Sequence, residues 1–193
     1  LDEFFHLTPY QKLMWLSSGG RWHGIARLDF FVLPDGSLQI CEMNSDTPSG
    51  EAEAVILNEL LHVPDPRVLD PNSHFEDRFV DTALTAYRAY NRNPLSPVPN
   101  VGIVYPTELP EDLSMIKLYE KWFERRGCRV VLGSPFNLHR LPSGTLTIFD
   151  TPVQILIRHY KTDWWSERLP VWTDEEDFLD PDPLDTQLSF VLE

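Results

Sequence analysis

Long apolar runs are missing from this chain. No stretch of its 193 residues approaches the ~20 consecutive apolar residues of a membrane-spanning helix, and Leu1-Asp2-Glu3 lacks the basic start of a signal peptide. A soluble, cytoplasmic protein with no membrane partner is expected. Cysteine is scarce too. Cys41 and Cys128 have no neighbouring partner for a zinc site and fit a reducing compartment, and both are expected to be buried thiols. The six histidines, at 6, 23, 62, 74, 139 and 159, never fall four apart, and there is no HExxH helix, no GxSxG elbow and no Gly-rich phosphate fingerprint. Zinc hydrolysis and serine-elbow chemistry therefore lack support. Basic residues are few: 16 Lys and Arg stand against 30 Asp and Glu, a net charge of −14, which argues against a nucleic-acid surface and is compatible with cationic substrates. What the chain has is 42% hydrophobic and 12% aromatic residues, ample for one sizeable core or two small ones.

The chain is organised around residues 23–50, HGIARLDFFVLPDGSLQICEMNSDTPSG. Two apolar-rich runs flank Pro34-Asp35-Gly36-Ser37, and an Asp-Gly pair in that setting signals a hairpin. A two-residue loop at Asp35-Gly36 sets Asp29 opposite Glu42 and Arg27 opposite Asn44. Strand alternation then gathers Arg27, Asp29, Glu42 and Asn44 on one face. Opposed acids repel, so an Asp29/Glu42 pair calls for a cation between them. Two carboxylates and an amide oxygen suit Mg²⁺, which takes its remaining ligands from water and phosphates, and Arg27 would add a fixed charge for phosphate oxygens. The alternative is a solvated hairpin face. A three-residue loop would slip the register by one and bring Cys41 and Met43 onto the Arg27/Asp29 face.

Arg27-x-Asp29, then Glu42-x-Asn44 followed by Ser45-Asp46-Thr47-Pro48, resembles the metal-binding signature of glutathionylspermidine synthase and its circularly permuted ATP-grasp relatives. The resemblance implies that Asp29, Glu42 and Asn44 hold Mg²⁺ against ATP and that Arg27 stabilises the phosphoryl group in transit. A second segment, Tyr160-Lys161-Thr162-Asp163-Trp164-Trp165 with Glu167, is similar to the family's Tyr-Pro-Trp-Glu-Trp-Met segment and its following Glu, with the Pro and the inner Trp-Glu pair replaced here.

Elsewhere, Thr8-Pro9-Tyr10-Gln11 reads as a helix start and Gly19-Gly20 as its end, with Leu13, Met14 and Trp15 toward the core. Ser49 can cap a helix from Gly50 to about Leu61, and Thr47, Ser49 and the backbone amides there could receive a substrate carboxylate; the other reading is an ordinary capped helix entry. A Pro-rich loop leads to a helix from about His74 to Asn91, with a core stripe of Phe75, Phe79, Ala83 and Ala86. The Pro-rich break from Asn93 to Asn100 is the best boundary, dividing the chain into 1–92, the metal-site part, and 93–193, a small α/β part. That part opens with a strand at Val101–Tyr105, a helix over about 111–126 and a strand at Cys128–Leu132, a βαβ unit whose carboxyl ends near Tyr105-Pro106-Thr107 and Gly133-Ser134-Pro135 could bind ligands. A hairpin around Leu141–Thr145 follows, then a strand or short helix from Val153 to His159. Residues 174–183 read as a solvated acidic loop.

These readings combine into a mixed α/β fold: an ATP-grasp-like lobe carrying the hairpin, with a small pre-ATP-grasp-like domain. The expected activity is an ATP- and Mg²⁺-dependent carboxylate–amine ligase working through an acyl phosphate, by positioning and charge neutralisation. The resemblance implies a glutathione-like acid and a polyamine-like amine as partners. The chain opens without Met and ends on Ser189-Phe190-Val191-Leu192-Glu193, which reads like the inside of a strand, so an incomplete segment is expected; with no match to the family's ATP-clamping lysines before Glu193, it is expected to be inactive alone. A non-catalytic binding or regulatory module and a Mg²⁺-dependent phosphohydrolase are the alternatives.

Overall fold

Alternation along three short strands builds the central layer of the fold. The computed structural model describes residues 2–6, 12, 15–16, 25–61, 65, 67–90, 97–107 and 109–161. Beyond a helical turn at Asp2–Phe5, the elements in order are β1 (Arg27–Val32), β2 (Leu38–Asn44), α1 (Glu51–Leu61), α2 (Phe75–Tyr90), β3 (Asn100–Val104), α3 (Leu113–Arg125), β4 (Arg129–Gly133), β5 (Leu138–Arg140), β6 (Leu146–Ile148), β7 (Thr151–Val153) and β8 (Ile155–Arg158). The chain is mixed α/β, as its sequence pattern indicates. Strands β4, β3 and β8 form a parallel sheet in that order, while β5, β6 and β7 form a small antiparallel one.

On the parallel sheet, Val101, Ile103, Val130, Leu132, Ile155 and Ile157 pack on one face against the helices. Val104, Val131 and Leu156 pack on the other, in a cluster with Leu138, Ile148 and Val153 from the small sheet. Successive side chains of a strand point to opposite faces, so each of these strands is apolar on both, as a sheet covered on both sides requires. The small sheet comes very close. A Cβ at Gly102 would lie 2.6 Å from Ile148 Cδ1, and one at Gly133 2.7 Å from Ile148 Cγ2. Glycine is needed at both positions because Ile148 occupies the space.

The helical layer is fixed by aromatic packing. Phe79 of α2 stacks on Tyr119 of α3 with ring centroids 4.5 Å apart, and meets Trp122 edge-on at 5.9 Å. Phe75, Phe79 and Ala83 pack against the core as their spacing predicts, whereas Ala86 is exposed and Val80, Leu84 and Tyr87 are the residues fully enclosed. One cluster joins Ala52 of α1 and Val80, Leu84 and Tyr87 of α2 to Val101, Ile103 and Ile155 of the sheet. The expected 111–126 helix starts with a short 3₁₀ turn, Pro110–Asp112, before α3, and the ambiguous Val153–His159 run divides into the end of β7 and all of β8. Trp15, expected in the core, is exposed; most of the helix expected over 9–18, the segment from Thr162 to Trp165 with Glu167, and the acidic run 174–183 lie outside the described residues. No described helix is long and apolar enough to cross a membrane.

Candidate metal site

The hairpin brings together the four residues singled out in it, by a different route from the one the turn suggests. Leu33 N–H donates to Ser37 O at 2.9 Å and Gly36 N–H to Leu33 O at 2.9 Å, so the loop holds three residues, Pro34, Asp35 and Gly36, rather than two. Pro follows the first turn residue and Gly36, at φ 81°, closes it in the left-handed region, the chemistry of a type I turn extended by one residue. Asp35 Oδ1 accepts from Ser37 N–H at 2.9 Å and from its hydroxyl at 2.7 Å, tightening the loop.

The longer loop pairs Val32 with Leu38, Phe31 with Gln39 and Phe30 with Ile40, one step off the two-residue register. Between Phe30 and Asp29 the register then shifts, so that Asp29 faces Glu42, Leu28 faces Met43 and Arg27 faces Asn44. Cys41 is the extra residue of this bulge. The bulge cancels the slip from the loop, and the expected pairing holds despite the wrong turn length. Cys41 is exposed, against the expectation of a buried thiol, because it lies on a ribbon with nothing among the described residues packed over it; Cys128 is buried as expected.

At the site, Arg27 Nε donates to Asp29 Oδ1 at 3.0 Å and Nη2 to Asp29 Oδ2 at 3.4 Å. Asn44 Nδ2 reaches Asp29 Oδ2 at 3.4 Å and Glu42 Oε1 at 3.2 Å, so one amide bridges the two carboxylates. Arg27 holds the Asp29 carboxyl below the usual carboxylate range, chiefly through its donated hydrogen bond. Its Nη1 donates to Ser49 O at 2.9 Å, tying the hairpin to the entry of α1. Asp29, Glu42 and Asn44 fit a divalent cation in donor chemistry: of the two facing carboxylates Arg27 hydrogen-bonds Asp29, and a half-turn of the Asn44 side-chain amide exchanges its N–H₂ for an oxygen. No cluster of three or more His, Cys, Asp or Glu residues suited to a metal occurs among the described residues; Mg²⁺ needs only one or two carboxylates where phosphates and water complete its shell.

Thr47 and Ser49 diverge. Thr47 is half-buried at φ 49°, an uncommon conformation for a β-branched residue, and lines a cleft with Ser45 and Pro48. Ser49 is exposed and engages Arg27 through its carbonyl, while Gly50, whose O accepts Ala54 N–H at 3.0 Å, takes the cap position expected for Ser49. The carboxyl end of β4 is closed by its own chain: Ser134 N–H donates to Asn137 Oδ1 at 2.8 Å, and Phe136 N–H to Ser134 Oγ at 3.2 Å.

Three nearby groups were not apparent from spacing. Glu51 opens α1 with Oε2 buried and without a hydrogen-bond partner among the described residues, and burial raises its carboxyl above the ordinary value, opposed in part by Arg27. Arg158 Nη2 donates to Asp46 Oδ1 at 2.9 Å, a link across 112 residues. His159 Nε2 lies 3.4 Å from Asp112 Oδ2, and burial lowers its pKa below the ordinary imidazole value. An acid in a first helical turn is ordinary dipole chemistry, and the other two pairs are too distant in sequence for any local pattern to mark them. No family model and no curated protein matches the chain.

Proposed function

We propose that the hairpin is the Mg²⁺ and phosphate site of an ATP-dependent carboxylate–amine ligase, similar to glutathionylspermidine synthase and its circularly permuted ATP-grasp relatives. The observation that carries this reading is the gathering of Arg27, Asp29, Glu42 and Asn44 on one face of a bulged ribbon. Asp29, Glu42 and Asn44 would hold Mg²⁺, whose charge, when bound, offsets that of the nucleotide phosphates. Arg27 would turn from Asp29 toward the γ-phosphate oxygens, for which its planar fork is suited. Thr47 and Ser49, at the adjoining turn, would orient the carboxylate of an acid such as a glutathione-like peptide, with a polyamine-like amine as acceptor. The left-handed Thr47 backbone supports a role for this turn, since such a conformation costs about 1–3 kcal/mol and persists where surrounding structure imposes it. A cytoplasmic location, with ATP at hand, accords with this chemistry.

Calorimetric titration with ATP, with and without Mg²⁺, tests the reading. Binding should require Mg²⁺ and weaken at least about tenfold in Asp29→Asn and in Glu42→Gln, since both act through one ion, while Asp35→Asn in the turn should leave it within about twofold. Mg²⁺-independent binding, or equal losses at Asp29 and Asp35, would remove the site. ADP release by the whole protein that needs both an acid and an amine supports the ligase, whereas phosphate release from ATP alone would favour a hydrolase.

A further inference from the structure

The parallel sheet contains a switch in strand order. From β3 the chain passes through α3 to β4 on one side; from β4 it travels through the small sheet and returns to β8 on the other side of β3. The helix of the first connection covers one face of the sheet and the strands of the second cover the other. At such a switch, connections leave the carboxyl ends in opposite directions, and open α/β sheets bind ligands in the crevice between them. A half-open cleft of about 310 Å³ lies at the carboxyl end of β8, the strand on the far side of the switch, lined by Leu156 to His159, by α2, by Tyr119 of α3 and by Ser45, Thr47 and Pro48 after β2.

Its chemistry selects among ligands. The stacked Phe79 and Tyr119 rings form an aromatic wall, and Ala83 and Ala86 leave room beside it because their side chains are single methyls. The charged groups of the lining are already matched: Arg158 donates to Asp46 and to the Tyr160 carbonyl, and His159, 5% exposed and beside Asp112, is kept neutral at pH 7 by its burial. An ionic ligand would have to displace one of these partners or enter an apolar site without a counter-charge, and either is costly. Thr82 supplies a hydroxyl. Thr82 Oγ1 donates to Arg78 O at 2.7 Å, which leaves its lone pairs as acceptors. A cavity of about 150 Å³ holds a benzene ring, so twice that volume admits a ring with a short substituent.

We propose that this cleft is a binding site for an uncharged, ring-bearing small molecule carrying one hydrogen-bonding substituent. It requires neither metal nor nucleotide, and it adjoins the turn at Thr47 that the reading of the hairpin assigns to the acid substrate.

Three probes that share a ring and differ in charge test the site: benzamide, benzoate and benzylamine, titrated near neutral pH into the ¹⁵N-labelled full chain. Benzamide should shift the amides of Thr82, Ala83, Ala86 and His159 saturably, with a Kd at least about tenfold below that of either charged probe. Ala86→Leu should weaken benzamide at least about tenfold by filling the cleft from an exposed helix position, while Ala89→Leu, at an exposed position of α2 outside the lining, leaves its affinity unchanged. Tighter binding of benzoate or benzylamine, shifts confined to other residues, equal losses in Ala86→Leu and Ala89→Leu, or no shifts up to the solubility limit of benzamide would each overturn the proposal.

Discussion

The β1–β2 hairpin and the β4–β3–β8 sheet are made of the same apolar residues and meet opposite fates. Ile103 of the sheet is fully buried, while Ile40 of the hairpin is 60% exposed and Phe30 52%. The difference lies in layers rather than composition. Helices cover one face of the sheet and the small antiparallel sheet covers the other, so a slip of one residue would drive side chains into filled space. Among the described residues the hairpin pairs only with itself, and a two-stranded ribbon is marginal alone. Its register is held locally instead, by the turn at Pro34-Asp35-Gly36, the Cys41 bulge and the polar contacts of Arg27, Asp29, Glu42 and Asn44. One region is specified by what it buries, the other by its turn chemistry.

The largest expected effect sets these regions against each other. Trp122→Ala removes a side chain that is 2% exposed in the aromatic layer and should destabilise the fold by about 3–5 kcal/mol, whereas Ile40→Ser on the ribbon should stay within about 0.5 kcal/mol. Urea denaturation followed by circular dichroism measures both. Comparable losses would mean that the hairpin is packed in solution, and the contrast would fail.

A second change sharpens the account of the buried region. Gly102→Ala places a methyl 2.6 Å from Ile148 Cδ1 and should cost about 1–3 kcal/mol. Ile148→Val removes that methyl, so the double variant should be more stable than the sum of the single losses predicts, read from a double-mutant cycle in the same denaturation assay. Strict additivity would mean that the two sheets do not approach closely here.

What could be read beforehand follows the same division. The strand–helix–strand order, the alternation of Val101 and Ile103 and the aromatic spacing of Phe75 and Phe79 were legible because burial stamps a period on the sequence. The gathering of Arg27, Asp29, Glu42 and Asn44 was legible as a face of the hairpin, although the loop length was not: Pro34-Asp35-Gly36 accommodates a two- or a three-residue loop, and nothing in Cys41 marks it as the inserted residue of a bulge. The Arg158–Asp46 and His159–Asp112 contacts join positions 112 and 47 residues apart, and only the folded arrangement of β8 brings them together. The exposure of Leu28, Phe30 and Ile40 was illegible for a related reason, since alternation identifies a strand without saying what covers it.

The smallest expected effect is the most specific to the hairpin. With a three-residue loop, deletion of Cys41 would pair Phe30 with Ile40 and then, without interruption, Asp29 with Glu42 and Arg27 with Asn44. The ladder becomes regular and the four polar side chains remain on one face. On the proposed reading, Mg²⁺-dependent ATP binding should therefore change by no more than about threefold in the deletion, against the tenfold or greater loss in Asp29→Asn. If the deletion abolishes binding as completely as Asp29→Asn, the bulge does more than correct the register: its local twist aims Glu42 at the site, as bulges elsewhere re-aim side chains. If neither change alters binding, the polar face is an ordinary solvated ribbon surface, and both regions are then strands distinguished only by what covers them.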